Sequence, residues 1–323
     1  MKAMSQDTYG SADVLELREV DRPVPADDEV LVQVHAAGVD RGVWHLMAGL
    51  PYVVRLAGYG VRAPKNAVPG LDLAGVVEEV GKDVTKFSPG DEVFGIGRGT
   101  YAPYARALES KLAPKPKNLT FEQAAVVAVS GLTALQAVRD QADVQPGQSV
   151  LVIGASGGVG SYAVQVAKAY GAEVTGVCST AKTELVRSLG ADHVIDYTSE
   201  DFADAGRRFD VILDIGGNSS LSRLRSALTP TGTLVIIGGE EGGRWIGGTD
   251  RQLRMLVLSP FVGQTLKTFI SGENGEDLLT LAGLMESEQV TPTIDRAFPL
   301  EDAAAAIRYL EQGSARGKIV VTV

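Results

Sequence analysis

The chain has 323 residues, 45% of them hydrophobic and 22% charged, an ordinary globular composition long enough for two domains of about 100 to 200 residues each. Thirty Lys and Arg against forty Asp and Glu leave a net charge of -10 with no basic block, which argues against nucleic acid as a partner. One cysteine, Cys178, excludes an intrachain disulfide and an all-cysteine zinc site and fits a reducing, cytoplasmic compartment, while MKAMSQDTYG has no apolar stretch behind its lysine and no run of about 18 apolar residues follows, so no membrane contact is expected.

Up to about residue 120, short β-type runs (EVLVQVHAAGV, LAGVVEEVG, GDEVFGIG, YAPYARA) are separated by Pro and Gly, predicting a compact, mostly β domain with a rolled or barrel-like sheet. From Thr120 the period turns helical in FEQAAVVAVSGLTALQAVRD, with Thr120 and Gln123 spaced as a capping box. Alternating units follow: strand VLVIG, helix SYAVQVAKAYG, strand AEVTGVC, helix TELVRSLG, strand HVIDY, strand DVILDIGG, helix LSRLRSALTPTG, strand TLVIIGG. Uniformly apolar strands alternating with helices predict a doubly wound α/β domain with a parallel sheet covered on both faces. The helix LEDAAAAIRYLEQG and strand KIVVTV carry no further Gly-rich turn and are expected to return to the first domain.

In VLVIGASGGVGSYAVQVAK the pattern A-x-G-x-x-G (Ala155, Ser156, Gly157, Gly158, Val159, Gly160) follows a predicted strand and opens a predicted helix, the context a dinucleotide fingerprint requires. Gly157 would let the backbone approach a pyrophosphate, Gly160 would let helix and strand pack closely, and the helix start supplies free N–H groups and a positive dipole end. A tight turn without ligand is the alternative. An NAD enzyme usually carries an acid about 20 residues on, at the end of the second strand. Here that point reads Val177-Cys178-Ser179-Thr180-Ala181-Lys182, with a hydroxyl and a cation but no acid. A carboxylate would repel a 2′-phosphate whereas Ser179 and Lys182 can donate to it, so NADPH is expected; a merely solvated Lys182 is the alternative.

A short-chain dehydrogenase needs Tyr and Lys four apart, and none of the nine tyrosines has a lysine at that spacing. A methyltransferase shares the Gly-rich turn but normally carries an acid after the second strand, and is a weak competitor. Zinc catalysis needs about three protein ligands. His35 in a predicted strand, His45 in a predicted loop and His193 at a strand start, with Cys178, form no recognisable set, so no metal is expected.

The blocks HAAGVDRGVWHLMAG, PGLDLAGVVEEVG, FSPGDEVFG, SGLTALQAV, GASGGVGSYAVQVAKAYGAEVTGV, LGADHVIDY, FDVILDIGG and GKIVV occur in an order that resembles the zinc-independent quinone oxidoreductases of the medium-chain dehydrogenase/reductase superfamily. The resemblance implies an α/β fold in which a Rossmann doubly wound parallel sheet, residues 123–270, is inserted into a GroES-like, mostly β catalytic domain, residues 1–122 and 271–323, with substrate and nicotinamide in the cleft between them. It also implies that Thr133 lies near the nicotinamide, that Ser179, Lys182 and Tyr197 surround the 2′-phosphate, that Lys318 approaches the cofactor, and that Gly238 and Phe261 belong to its site. Zinc-dependent relatives have His-Glu where this chain has Leu71-Asp72 and a Cys where it has Asp40. The sequence departs from the quinone reductases as well, since their Asn in the GVN block is Asp40 here and an aromatic hydroxyl position falls near His45.

The implied chemistry is metal-free hydride transfer from NADPH to a small molecule, a quinone, an enone or an activated carbonyl, with negative charge developing on the substrate oxygen. Candidate donors to that oxygen are Tyr52 and His45, in the long loop VWHLMAGLPYVVRLAGYG, with Asp40 as an orienting partner or a general acid if burial raises its pKa. An ordinary loop aromatic is the alternative for Tyr52. Trp44, Tyr52 and Tyr59 would line an apolar slot or simply pack. Arg244 and Trp245 in EEGGRWIGGTDRQ, after strand TLVIIGG, are expected in a flap over the nicotinamide or in a plain exposed loop. A homodimer is implied by the resemblance, with SPFVGQTL extending the Rossmann sheet across subunits. The competing class is a catalytically silent NADPH-binding protein of the same fold acting as a sensor or binding partner.

Overall fold

The structure, a computed structural model, describes residues 1–204, 206–239, 243–247 and 249–323. In chain order the strands are β1 (Lys2–Ser5), β2 (Glu16–Glu19), β3 (Glu29–Val39), β4 (Asp72–Val80), β5 (Glu92–Ile96), β6 (Tyr104–Leu108) and β7 (Leu112–Pro114), then β8 (Ser149–Ile153), β9 (Glu173–Cys178), β10 (His193–Asp196), β11 (Phe209–Asp214), β12 (Leu228–Ile236) and β13 (Thr265–Thr268), and finally β14 (Ile294–Pro299) and β15 (Lys318–Thr322). The chain divides into two compact units, one of Met1–Leu132, Gly272–Glu288 and Pro292–Val323, the other of Thr133–Ser271 and Gln289–Thr291.

The first unit is built on a seven-stranded sheet in the order β14-β15-β3-β4-β5-β7, with β6 also paired to β3. Strand β3 carries an almost continuous buried run, and it pairs antiparallel with β4, β6 and β15. The last strand, KIVVT, thus returns to the first unit. Two registers position the buried polar residues of this sheet. Ile319 lies opposite Val39, and Ala37 lies opposite Leu73. Continuing each by one residue sets Lys318 beside Asp40 and Asp72 beside Gly38. Val30, Val32, Val39, Leu73, Met47 and Ile307 are among the core residues, and helix Ala303–Glu311 buries Ala303, Ala306 and Ile307 at helical spacing.

The second unit is a six-stranded, all-parallel sheet in the order β10-β9-β8-β11-β12-β13. With β8 counted as the first strand this is the 3-2-1-4-5-6 order of a Rossmann fold, whose sequence of strands reverses between β8 and β11. The α/β class, the GroES-like first unit and the doubly wound sheet are those the sequence predicts. Strand β13, a four-residue TLKT edge, has too little apolar pattern to be recognised from sequence. The predicted helix LSRLRSALTPTG ends at Ser226, and β12 begins at Leu228. Pro230 accounts for the difference, because it disfavours a helical conformation at Thr229 and has no N–H to give a helix. The predicted helix from Phe121 is broken into Phe121–Ala124 and Ala128–Gln136. Its start is as expected: Thr120 and Gln123 make both hydrogen bonds of a capping box.

Strand β8 runs through residues 154–157 into helix Gly158–Ala169, which buries every residue from Gly160 to Ala167. A Cβ on Gly160 would stand 2.0 Å from the carbonyl oxygen of Gly154, so the helix can lie against the turn only with glycine there. Gly160→Ala is expected to lower unfolding free energy by about 1–3 kcal/mol, measurable in urea unfolding of the whole chain, because backbone rather than a flexible side chain must yield.

Candidate functional site

The turn after β8 is fixed from both sides. Gly154 and Ala155 each donate an N–H to Val177 O, and the N–H of Gly157 donates to Gly154 O at 3.0 Å. Gly157 caps the helix in extended conformation, and a Cβ added to it would meet nothing nearer than 3.4 Å, so space lies open above the helix start. The first-turn N–H groups of Gly158, Val159 and Gly160 have no intrahelical acceptor and stand at the positive end of the helix dipole. Ala155 and Ser156 are buried beneath. A pyrophosphate fits this cradle, which lies at the carboxyl end of β8 beside the point where strand order reverses.

Across that point lies Asp214, the buried last residue of β11, whose carboxylate takes Arg251 Nη1 at 2.8 Å and the Gly217 N–H at 3.2 Å. Arg251 also donates to Ser219 O and to Gly238 O, and Gly238 donates its N–H to Asp214 O. A single guanidinium thus ties together the loops that follow β11 and β12. The local signal for this pair is an Asp that follows the apolar run Val211–Leu213.

Ser179, Lys182 and Tyr197 gather at the tips of β9 and β10: the Tyr197 N–H donates to Cys178 O, and the Lys182 N–H to Ser179 O. Asp196 ends β10 among them. Hydrogen bonds from the Thr180 and Thr198 hydroxyls and the Thr198 N–H hold its carboxyl below the usual range, so it is an anion at neutral pH. Burial pushes the neighbouring Cys178 thiol up to about 11, leaving it protonated. Thr133 donates to Ser271 Oγ at 3.1 Å, and Phe261 stands exposed on the turn before β13. Of the expected flap, Trp245 is exposed, while residues 240–242 and 248 lie outside the described residues.

In the first unit, His45 is not in a loop. Asp40 caps helix Arg41–Ala48 by accepting the Val43 N–H at 2.9 Å, Gly49 closes it in left-handed conformation, and His45 sits within it. The sequence signal for this helix is an Asp and a Gly nine residues apart. His45 Nδ1 lies 2.8 Å from Leu50 O. A carbonyl only accepts, so Nδ1 carries the proton and Nε2 of the neutral ring is an acceptor. His45 therefore gives a proton from Nε2 only as imidazolium. The Tyr52 ring lies under Arg55, whose guanidinium carbon is 4.7 Å from its centroid. Of the three aromatics expected in an apolar slot, Tyr59 lines a cavity of about 480 Å³ together with Val43, Leu46, Met47 and Leu71. Trp44 packs on the core instead and donates Nε1–H to Glu311.

Beneath this segment the sheet registers bring together a buried polar cluster. Lys318 Nζ donates to Ser130 Oγ at 2.9 Å and lies 3.7 Å from Asp72 Oδ2 and 3.9 Å from Asp40 Oδ2. Lys318 is 1% exposed, Asp72 0% and Asp40 7%. Asp72 Oδ1 takes the Val129 N–H at 2.8 Å, but Oδ2 of both aspartates has no hydrogen-bond partner. Gly38 makes the room: a Cβ on it would meet Asp72 Oδ2 at 2.8 Å and Ala125 O at 2.6 Å. Tyr101, fully buried, donates to Gly38 O, and its phenol is pushed well up by burial and then by both aspartates. Burial is the largest effect on Asp72 too; Asp40 adds to it, Lys318 and the Val129 N–H oppose it, and the carboxyl is raised to about 7. Asp40 and Lys318 are thereby joined. A Lys within KIVVTV and an Asp within GLDLAGVV hint at such burial in the sequence, but not at the pairing.

Two family models match the chain: the alcohol dehydrogenase GroES-like domain over residues 26–117, and a model described as zinc-binding dehydrogenase over residues 189–321. Among relatives, the chain is 36% identical to the 2-methylene-furan-3-one reductase of Solanum lycopersicum, covering 99% of this chain and 79% of that protein. It is 32% identical to the human quinone oxidoreductase over 99% and 97%. The Escherichia coli quinone oxidoreductase, solved in complex with NADPH, superposes with a TM-score of 0.84 at 26% identity over the full length of both chains. The two units and the cradle define an oxidoreductase fold of the medium-chain dehydrogenase/reductase superfamily. Within it, the chain belongs to the zinc-independent quinone oxidoreductase family.

A carboxyl raised from about 4 to about 7 binds its proton more tightly in the folded than in the unfolded state. Its contribution to stability is therefore greatest below about pH 4, falls as pH rises to about 7, and is constant above. Asp72→Asn cannot lose a proton and retains the acceptor for Val129 N–H. The stability of the variant relative to the parent is expected to rise by about 1.4 kcal/mol for each unit of that displacement, entirely between pH 4 and 7, in urea titrations at stepped pH.

Proposed function

We propose that the protein is an NADPH-dependent reductase that delivers hydride to a quinone or an α,β-unsaturated carbonyl without a metal ion. The bound cofactor supplies the hydride. The observation that carries the choice of NADPH is the tip of β9: Ser179, Lys182 and Tyr197 stand there as donors, and no acid ends that strand. Asp196, which ends β10 nearby, accepts from Thr180 and Thr198, so its carboxylate oxygens are already engaged as acceptors. The N–H groups of Gly158 to Gly160 would hold the pyrophosphate, while Thr133, Gly238, Phe261 and Lys318 remain proposed members of the cofactor site.

Metal independence is supported by the chemistry of the residues where zinc-dependent relatives keep their ligands. Leu71 offers no donor atom, and the two carboxylates face the ammonium of Lys318 at 3.7 and 3.9 Å, a fixed positive charge that disfavours a divalent cation. Among the described residues no group of three His, Cys, Asp or Glu is placed to hold a metal. Stabilisation of the developing oxyanion then falls to donors of the first unit. Tyr52, His45 and Asp40 are the groups proposed for it. Val43, Leu46, Met47 and Leu71 give the cavity one apolar wall for a flat ring, while Lys65, Arg98, Arg106 and Lys111 also line it and could face a substrate oxygen. No helix among the described residues is long and apolar enough to cross a membrane. A homodimer through the edge of β13 is supported by exposed Leu253, Val257, Phe261 and Ile270 around it.

NADPH consumption with a panel of quinones, enones and aldehydes tests the reading. Turnover is expected with quinones or enones; NADPH binding with no turnover on any of them would instead indicate a silent binding protein. Lys182→Ala separately tests the cofactor: the Kd for NADPH is expected to rise by about tenfold or more, the equivalent of one charge-assisted hydrogen bond, with little change for NADH. Equal effects on both would remove the case for NADPH.

A further inference from the structure

We propose that Asp72, Asp40 and Lys318 form a buried proton store, in which one carboxyl proton is held at Asp72 and passed to Asp40, the member nearest the surface, as a proton source for reduction of the substrate. The storage half stands on this cluster alone; the delivery half rests on the proposed reductase activity.

The charge count favours a stored proton. With both carboxyls ionised, an enclosed group of two carboxylates and one ammonium would carry a net negative charge at exposures of 0%, 7% and 1%. The donor count agrees. Each aspartate has one oxygen satisfied by a backbone N–H, from Val129 or Val43, but neither Oδ2 receives a hydrogen bond: Lys318 Nζ, which donates to Ser130 Oγ, stands 3.7 and 3.9 Å from them, too far for one. A proton on one Oδ2 removes the excess charge and turns an unpartnered acceptor into a donor. The remaining titratable group facing the aspartates, Tyr101, is bound to Gly38 O and stays neutral. The carboxyl raised to about 7 is the fully enclosed Asp72, the one farthest from water.

The proton accounting closes. Hydride brings one hydrogen and two electrons to the acceptor and leaves an oxyanion. The stored proton first moves from Asp72 to the Asp40 carboxylate; the O–H bond so formed on Asp40 then breaks as that of the product forms, leaving both aspartates as anions against Lys318 until water restores one proton to Asp72. Asp72 never touches substrate, so it is a positioning residue for the proton rather than a catalytic one.

The test uses the full chain without cofactor, following carboxyl protonation by infrared difference spectroscopy and by NMR of ¹³C-labelled aspartate across pH. One buried, protonated carboxyl is expected near neutrality in the parent and absent in Asp72→Asn. Its midpoint is expected to move down in pH in Asp40→Asn, which removes a like charge but keeps the helix cap, and up in Lys318→Met, which removes the opposing cation. In turnover, Asp72→Asn is expected to lose the decline in kcat with rising pH seen in the parent and to run about tenfold slower, with KM for NADPH unchanged. A signal that is absent from the parent, persists in Asp72→Asn or moves the same way in both partner variants overturns the store. An unaltered pH profile in Asp72→Asn overturns delivery. Failure of every acceptor would overturn the reductase reading and with it delivery, leaving storage to the spectroscopy.

Discussion

An ammonium that is 1% exposed constrains everything around it. Lys318 enters the first unit at the start of a strand whose next three residues are apolar and buried, and an uncompensated charge there would cost several kcal/mol. The compensation comes from two neighbouring strands at once: Asp40 follows the end of β3, Asp72 opens β4, and the registers of β15 on β3 and of β3 on β4 carry both to within 4 Å. Neither pairing can slip by one residue without turning a carboxylate away from the lysine. The same constraint fixes Gly38, since any side chain there would occupy the space Asp72 fills. The Asp40 that faces the lysine with Oδ2 also starts helix Arg41–Ala48 with Oδ1, so the segment bearing His45 is anchored to the cluster through one residue.

The second unit solves a different problem with the same economy. Its parallel strands are buried on both faces, so polar groups can gather only at their ends, and the carboxyl ends are where the glycine turn, Asp214 and Ser179 are found. Arg251 makes the loops after β11 and β12 a single body by binding Asp214 Oδ2, Ser219 O and Gly238 O. A dinucleotide cradle needs such rigidity, because its donors are backbone groups and cannot adjust by rotating side chains.

How much the sequence discloses depends on how local each signal is. The turn from Gly154 to Gly160 and the Thr120–Gln123 box are written within a few residues, and the structure has both. The helix capped by Asp40 is equally local, yet the apolar and aromatic residues from Val43 to Tyr59 mask it as a loop. The run through Pro230 looks helical when apolar spacing is given more weight than the restriction proline places on its neighbour. The Lys318 cluster lies beyond any local signal: a lysine in an apolar strand announces a buried charge, but its partners come from two other strands and from Ser130, 188 residues away. Arg251 is hidden for the same reason, its three acceptors being set by strand order.

A fixed ammonium differs from a metal ion in what it allows. Zinc offers an open coordination position at which a substrate oxygen can be polarised directly. Lys318 offers none: Nζ is enclosed, and its donors point to Ser130 and towards two carboxylates. Its positive charge can therefore act on a substrate only through the protonation state of Asp72 and Asp40. On the proposed reading, polarisation of the acceptor must come from groups that can present a proton at the surface of the first unit, where His45 directs Nδ1 to Leu50 O and the Tyr52 ring is held under Arg55. On the proposed metal-free reading, the electrostatic role of a metal is divided between a buried cation that sets charge and outer donors that meet the oxygen. Such a division favours acceptors that need a proton after hydride arrives over those that need strong activation before it.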